Sequence, residues 1–177
     1  LSLRKVIVID EGWRFFDDEV GTILIQELYR TARKFNGMVL SISQSPEDFI
    51  QSKASTAILG NSYVKYILKL QKGHEVLGHF DLNENEIKAV HELEVRQGEY
   101  SEVFVKFFNR SVVARLEPSA LEYWMATTAP EDTAILERER VLHSDVSELE
   151  LLEMLSRQYP RGIAGQKKEE SHAESGR

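Results

Sequence analysis

Hydrophobic and polar positions along the chain fall into two periods, and the changes between them mark the elements. Val6-Ile7-Val8-Ile9 is a run of β-branched residues with no polar alternation, which predicts a strand covered on both faces, as in a parallel sheet flanked by helices. From about Asp17 to Asn36 the period becomes helical, with Val20, Leu24, Leu28, Ala32 and Phe35 on one stripe and Gly37 as the stop. Met38 to Ser43 is a second short apolar strand, so strand, helix and strand form a βαβ unit. Ser45, Pro46 and Asp48 then read as the cap and first turn of a helix running through Ile50, and Ala54 to Leu59 reads as another.

A third strand is predicted from Tyr63 to Leu70. It is followed by a turn-rich helical stretch around Glu75 to Phe80 and a helix from Asn83 to Glu94 with Ile87 and Val90 inward. Glu102 to Phe108 and Ser111 to Leu116 alternate with period two around Asn109-Arg110, which predicts a β-hairpin. Beyond Pro118 the pattern is helical, over Ser119 to Ala126, Pro130 to His143 and Val146 to Arg157. Leu121, Trp124 and Met125 form one apolar patch there, and Leu149, Leu152 and Leu155 another. The expected organisation is a sheet-containing region over 1–117, a helical extension over 118–160 and a polar, disordered tail over 161–177.

Composition narrows the chemistry. A chain of 177 residues with 42% hydrophobic content can bury one substantial core. A formal net charge of -7 argues against a protein that coats nucleic acid through global basicity, while leaving room for a local basic stripe. Without cysteine there are no disulfides, zinc-thiolate sites or thiol nucleophiles. No apolar run is long enough to cross a bilayer. The start, Leu1-Ser2-Leu3, leads at once into a central-type strand, and we read the chain as a fragment.

The candidate chemistry sits where the first two strands end. In parallel α/β sheets ligands bind just beyond the carboxyl ends of the strands, where Asp10 and Glu11 emerge. Adjacent acids on an extended backbone point apart and can hold two jobs: Asp10 binding Mg2+ through its water shell, Glu11 polarising a water that attacks a γ-phosphate. With the two strands parallel neighbours, Gln44 projects at the same edge as Glu11, where an amide can contact both water and phosphate. Arg30, Arg33 and Lys34 lie near the helix end, off the apolar stripe; they read either as a solvated basic face partly paired with Glu27 or as a source of an arginine acting on a neighbouring subunit's phosphate. His74 and His79 are five apart rather than four, which on a helix makes a zinc site a poor fit.

Three stretches carry a family resemblance: Val6 to Trp13 (Val-Ile-Val-Ile-Asp-Glu-Gly-Trp), Thr31 to Phe49, which includes Ser-Gln-Ser-Pro-Glu-Asp, and Tyr123 to Asp132. Together they resemble the C-terminal half of TraC-type ATPases of conjugative type IV secretion systems, from about Lys5 to Arg140. The resemblance implies a partial RecA-like P-loop NTPase core of parallel strands with flanking helices, a C-terminal β-hairpin and a helical C-terminal extension. It implies ATP and Mg2+ as ligands, with Asp10 as the magnesium acid, Glu11 as the catalytic base, Gln44 as the sensor and Arg33 as the arginine finger. Arg30 is the second choice for the finger, and Arg96 matches a late arginine that contacts nucleotide, contacts a neighbouring subunit or caps a turn. It further implies a homo-hexamer that is cytoplasmic, peripheral at the inner membrane through other secretion proteins, with possible DNA contact. A DNA-translocating motor of the coupling-protein class and a non-catalytic docking module are the alternatives. No Gly-x-x-x-x-Gly-Lys-Ser/Thr occurs; in the family that loop lies upstream of the first strand.

Overall fold

The computed structural model describes residues 3–12, 18–163 and 165. Trp13, the start of the helix expected from Asp17, and residues 166–177 of the expected tail lie outside the described residues. The chain divides into two units, one of 1–93 with 104–113 and one of 94–103 with 114–177.

The first unit opens with the expected βαβ arrangement. Strand β1 (Lys5–Asp10) pairs in parallel with β2 (Gly37–Ile42), Lys5 opposite Gly37 and Asp10 opposite Ile42. Between them runs α1 (Glu19–Thr31), which continues as a 3-10 turn over Ala32–Phe35. Its start follows from charge and capping: the Asp18 carboxylate accepts from the Gly21 N–H at 2.8 Å, with Glu19 in the first turn and Arg30 in the last, each sign complementing the helix dipole. The stop differs from expectation. Asn36, not Gly37, takes the left-handed conformation (φ 54) and caps the Ala32 and Arg33 carbonyls. Gly37 is needed for another reason, since a Cβ there would lie 3.0 Å from the Ala32 carbonyl oxygen.

The buried face of α1 is also not the expected one. Val20, Leu24 and Phe35 are exposed, while Gly21, Thr22 and Ile25 are buried. Ile25 forms a small core with Ala54 and Ile58, against which Ile9, Tyr29 and Phe49 pack. The helices α2 (Pro46–Gln51) and α3 (Ser55–Asn61) complete this layer. The β1–β2 pair is covered on one face only: Ile7, Ile9, Val39 and Ser41 are half-buried, whereas Val6, Val8, Met38, Leu40 and Ile42 are exposed.

Strand β3 (Val64–Leu68) belongs to a second sheet, with β4 (Val95–Arg96), β5 (Tyr100–Phe107) and β6 (Arg110–Leu116). Strands β3, β4 and β6 all pair with β5, and the two-residue Phe108-Asn109 connection makes β5 and β6 the expected antiparallel hairpin. A 3-10 segment (His74–Phe80) and α4 (Glu84–Glu92) pack a core of Leu77, Phe80, Leu82, Val90 and Leu93 on Phe104. Asn83 and Glu86 close a capping box on α4.

The second unit contains three helices, α5 (Ala120–Ala126), α6 (Pro130–Leu142) and α7 (Glu148–Gln158), around Trp124, Leu136, Leu151, Leu152 and Leu155. Capping boxes Ser119/Glu122 and Ser147/Glu150 start α5 and α7, and Pro130 opens α6. Two residues of the expected apolar patches, Met125 and Leu149, are instead exposed, and Leu151 takes the inward place. The buried Asp132 accepts from the Tyr123 hydroxyl at 2.6 Å, the Thr127 hydroxyl at 2.9 Å and the Ile163 N–H at 2.9 Å. That set explains much of the Tyr123 to Asp132 motif as structural, with Trp124 donating its indole N–H to the Tyr159 carbonyl at 2.8 Å.

Candidate functional site

The carboxyl ends of β1 and β2 bring Glu11 and Gln44 together. The Gln44 Nε2 donates to Glu11 Oε1 at 2.5 Å, a bond between residues 33 apart in sequence that the parallel pairing makes possible. Asp10 is the last residue of β1 and shares the exposed face with Val6 and Val8. Glu11 leaves the strand in a left-handed turn (φ 52), uncommon for a residue with a side chain. The two acids therefore separate through this turn rather than through strand alternation alone. Such backbone strain persists where the surroundings over-determine it, and functional sites collect it.

The loop carrying Gln44 has an arrangement that the spacing of its residues did not reveal. Ser45 occupies the N-cap position of α2, as expected, but its side chain makes no capping bond. Its hydroxyl donates instead to Glu47, and the Ser43 hydroxyl donates to Asp48. Ser43 Oγ also accepts from the Ser45 N–H at 3.4 Å. The bond from Ser45 holds the Glu47 carboxyl below the ordinary range. A signal was present in Ser43-Gln44-Ser45-Pro46-Glu47-Asp48, where two hydroxyls flank an amide and two carboxylates follow.

Tyr29 ties the layer beneath. Its hydroxyl donates to Ser41 Oγ on β2 at 2.7 Å and also interacts with Ser62, two residues before β3. Burial raises its pKa despite those hydroxyl contacts.

Arg33 and Arg30, expected at the site, are not brought to it within this chain. Arg33 is exposed in the 3-10 turn before β2. At about 3.3 Å per residue, the length of β2 puts it about 20 Å from the Gln44 end. Arg30, in the last turn of α1, is likewise exposed and precedes the same strand. Arg96 belongs to the second unit, where it pairs with Glu94 at 3.6 Å and Glu99 at 4.0 Å and lies over the Tyr100 ring. His74 stacks on His91 with ring centroids 3.8 Å apart, and no group of three or more acids and histidines able to hold a metal ion occurs among the described residues. No helix among them is long and apolar enough to cross a membrane.

The sequence matches the TraG P-loop domain family over residues 1–154. The chain belongs to that family. Among individual proteins it is similar to protein TraC of Escherichia coli (strain K12), 46% identical over 74 residues covering 38% of this chain and 8% of TraC. It is also similar to the type IV secretion system protein virB4 of Bartonella quintana (strain Toulouse), 30% identical over 115 residues, and to its namesake in Brucella abortus biovar 1 (strain 9-941), 27% identical over 117 residues. These two alignments each cover 64% of this chain and 14% of the relative, so the chain spans a small part of the proteins it matches.

Proposed function

We propose that this chain is the acid-bearing half of a RecA-like motor ATPase domain, within a longer protein that powers conjugative transfer, pilus assembly or type IV secretion. The observation that carries the reading is the Glu11–Gln44 bond at the carboxyl edge of a parallel strand pair, in a member of a P-loop family.

Each residue then has a chemical task. Glu11 is the base: its carboxylate accepts a hydrogen bond from the attacking water and takes its proton. Gln44 donates to that carboxylate, which turns its amide oxygen to accept from the same water. Asp10, an exposed carboxylate at the end of β1, would hold magnesium as an ion that keeps most of its water. When bound, that ion would neutralise charge on the β- and γ-phosphate oxygens.

The phosphate loop must come from outside these residues. Tyr29 reaches both β2 and the start of β3, yet among the described residues β2 pairs only with β1, and β3 only with β5. We place the strand leading into the phosphate loop between β2 and β3, with its helix over Val6, Val8, Met38, Leu40 and Ile42. That arrangement would cover both faces of β1, as its unbroken apolar sequence demands.

Arg33, at the opposite end of β2 from Glu11, can serve only a neighbour's site, which fits a finger acting in trans in a ring of six; Arg30 is the second choice. Arg96 braces the β4–β5 turn through Glu94 and Glu99. The longer protein would act at the cytoplasmic face of the inner membrane with other secretion components.

Mixing subunits tests the trans arrangement. Arg33→Ala and Glu11→Gln forms of the longer protein should each lose hydrolysis, Arg33→Ala by about 10³-fold. Mixed rings should regain part of it, because some interfaces join an intact Glu11 to an intact Arg33. Mixtures as inactive as their parents would remove Arg33 from the role.

A further inference from the structure

Hydrogen bonds of Ser43 and Ser45 hold the Gln44 loop on both flanks of that residue. Ser43 and Ser45 bracket Gln44, and each spends its hydroxyl on a different carboxylate of the first turn of α2, Asp48 and Glu47 respectively. The Asp48 N–H returns to the Ser45 carbonyl at 3.3 Å, and the Ser45 N–H reaches Ser43 Oγ. A serine at an N-cap ordinarily accepts from the helix backbone, and giving that up forgoes helix stability. In exchange, the residue on each side of Gln44 is tied to a carboxylate of α2.

The brace extends to a second loop. Gly73, with φ 82, lies so close to Glu47 that a Cβ there would stand 2.6 and 2.8 Å from its two carboxylate oxygens. The charge of Lys72 acts on the same carboxylate. Glu47 is thus shared between the Gln44 loop and the loop that follows β3.

We propose that Ser43 and Ser45, held by Asp48 and Glu47, are positioning residues that fix the Gln44 amide against Glu11 in the orientation that water activation needs. The inference rests on the reading of Glu11 as base and Gln44 as its partner. It adds a serine pair and two carboxylates that act through Gln44, and a link through Glu47 to the Gly73 loop.

Steady-state ATP hydrolysis by the longer protein tests it. Ser43→Ala/Ser45→Ala should lower kcat about 10-fold, the scale of a displaced catalytic group, with KM for ATP changed less than about twofold. Ser45→Thr, which keeps the hydroxyl, should stay within about threefold of the unmodified protein. In a Gln44→Ala background the serine pair should have no further effect, because residues acting through one another are not additive. A further 10-fold loss in that background would mean that the serines act independently of Gln44, and an unchanged kcat for the double variant would likewise overturn the proposal. Glu11→Gln separates the two levels: if it hydrolyses ATP at the unmodified rate, or the unmodified protein does not hydrolyse ATP, the underlying reading fails. If Glu11→Gln is inactive while the serine variants are unaffected, only the positioning role fails.

Discussion

Glu86 and Lys106 meet at 2.6 Å with both side chains about nine-tenths buried. Burial alone would raise the Glu86 carboxyl; the hydrogen bonds from Lys106, the Asn83 backbone and Ser111, with the Lys106 charge, outweigh it and hold the pKa below the ordinary range. A folded-state pKa below the unfolded one means that the stabilisation is fully present above the ordinary carboxylate range and is lost as pH falls through the depressed value. Lys106→Ala should cost roughly 3–5 kcal/mol at neutral pH by stranding the carboxylate, while Glu86→Gln/Lys106→Met should cost far less. Urea unfolding at neutral and acid pH measures both; equal losses would mean that the pair is not coupled. Nothing in the sequence marked these two residues, because a Glu in the first turn of a helix and a Lys on a strand are ordinary surface choices. The catalytic candidates were legible for the opposite reason, since Asp10 and Glu11 interrupt an apolar run at the point where such strands end. Ser43 and Ser45 flank Gln44 openly in the sequence, but only the fold shows that their hydroxyls turn towards Asp48 and Glu47.

At the scale of elements, periodicity located almost every helix and strand and, Leu149 aside, the inward faces of α4 and α7, but misjudged which face of α1 turns inward. On α1 and the turn that follows it the Val20, Leu24 and Phe35 stripe is exposed, and the helix packs through Gly21, Thr22 and Ile25. A hydrophobic period gives the spacing of a face without saying how many faces are covered. The β1–β2 pair is the informative case: Val8 and Leu40 are paired in register, and both are exposed. Contiguous exposed apolar surface of this kind binds apolar dyes and promotes association. Val8→Lys/Leu40→Lys should therefore reduce dye binding by the 177-residue chain without lowering its unfolding midpoint. The same pair in the longer protein, where we place a helix over this face, should lower the midpoint by several degrees. Equal tolerance in both would argue that the face is not internal. The two-residue β4 went unseen because it is too short to show a period.

For the whole molecule, the fold and the chemistry depend on each other through the strand order. The parallel pairing of β1 with β2 carries Glu11 and Gln44 to one edge, the hydroxyls of Ser43 and Ser45 tie the Gln44 loop to α2, and the same strand direction places Arg33 at the far end. Membership of a P-loop family in a chain with no phosphate-loop motif is consistent with a composite site, completed by residues beyond these. The division of the chain into two units, with breaks before β4 and within β5 and β6, was not legible from composition, since no Pro- or Gly-rich linker marks it. The most direct test of the account is ATP hydrolysis by the longer protein carrying Glu11→Gln, measured beside its affinity for nucleotide. Loss of a general base should lower kcat by at least about 10²-fold while nucleotide still binds, because Asp10 and the phosphate loop are untouched. Hydrolysis at the unmodified rate would contradict the assignment of Glu11 and, with it, the reading of this edge as the catalytic one.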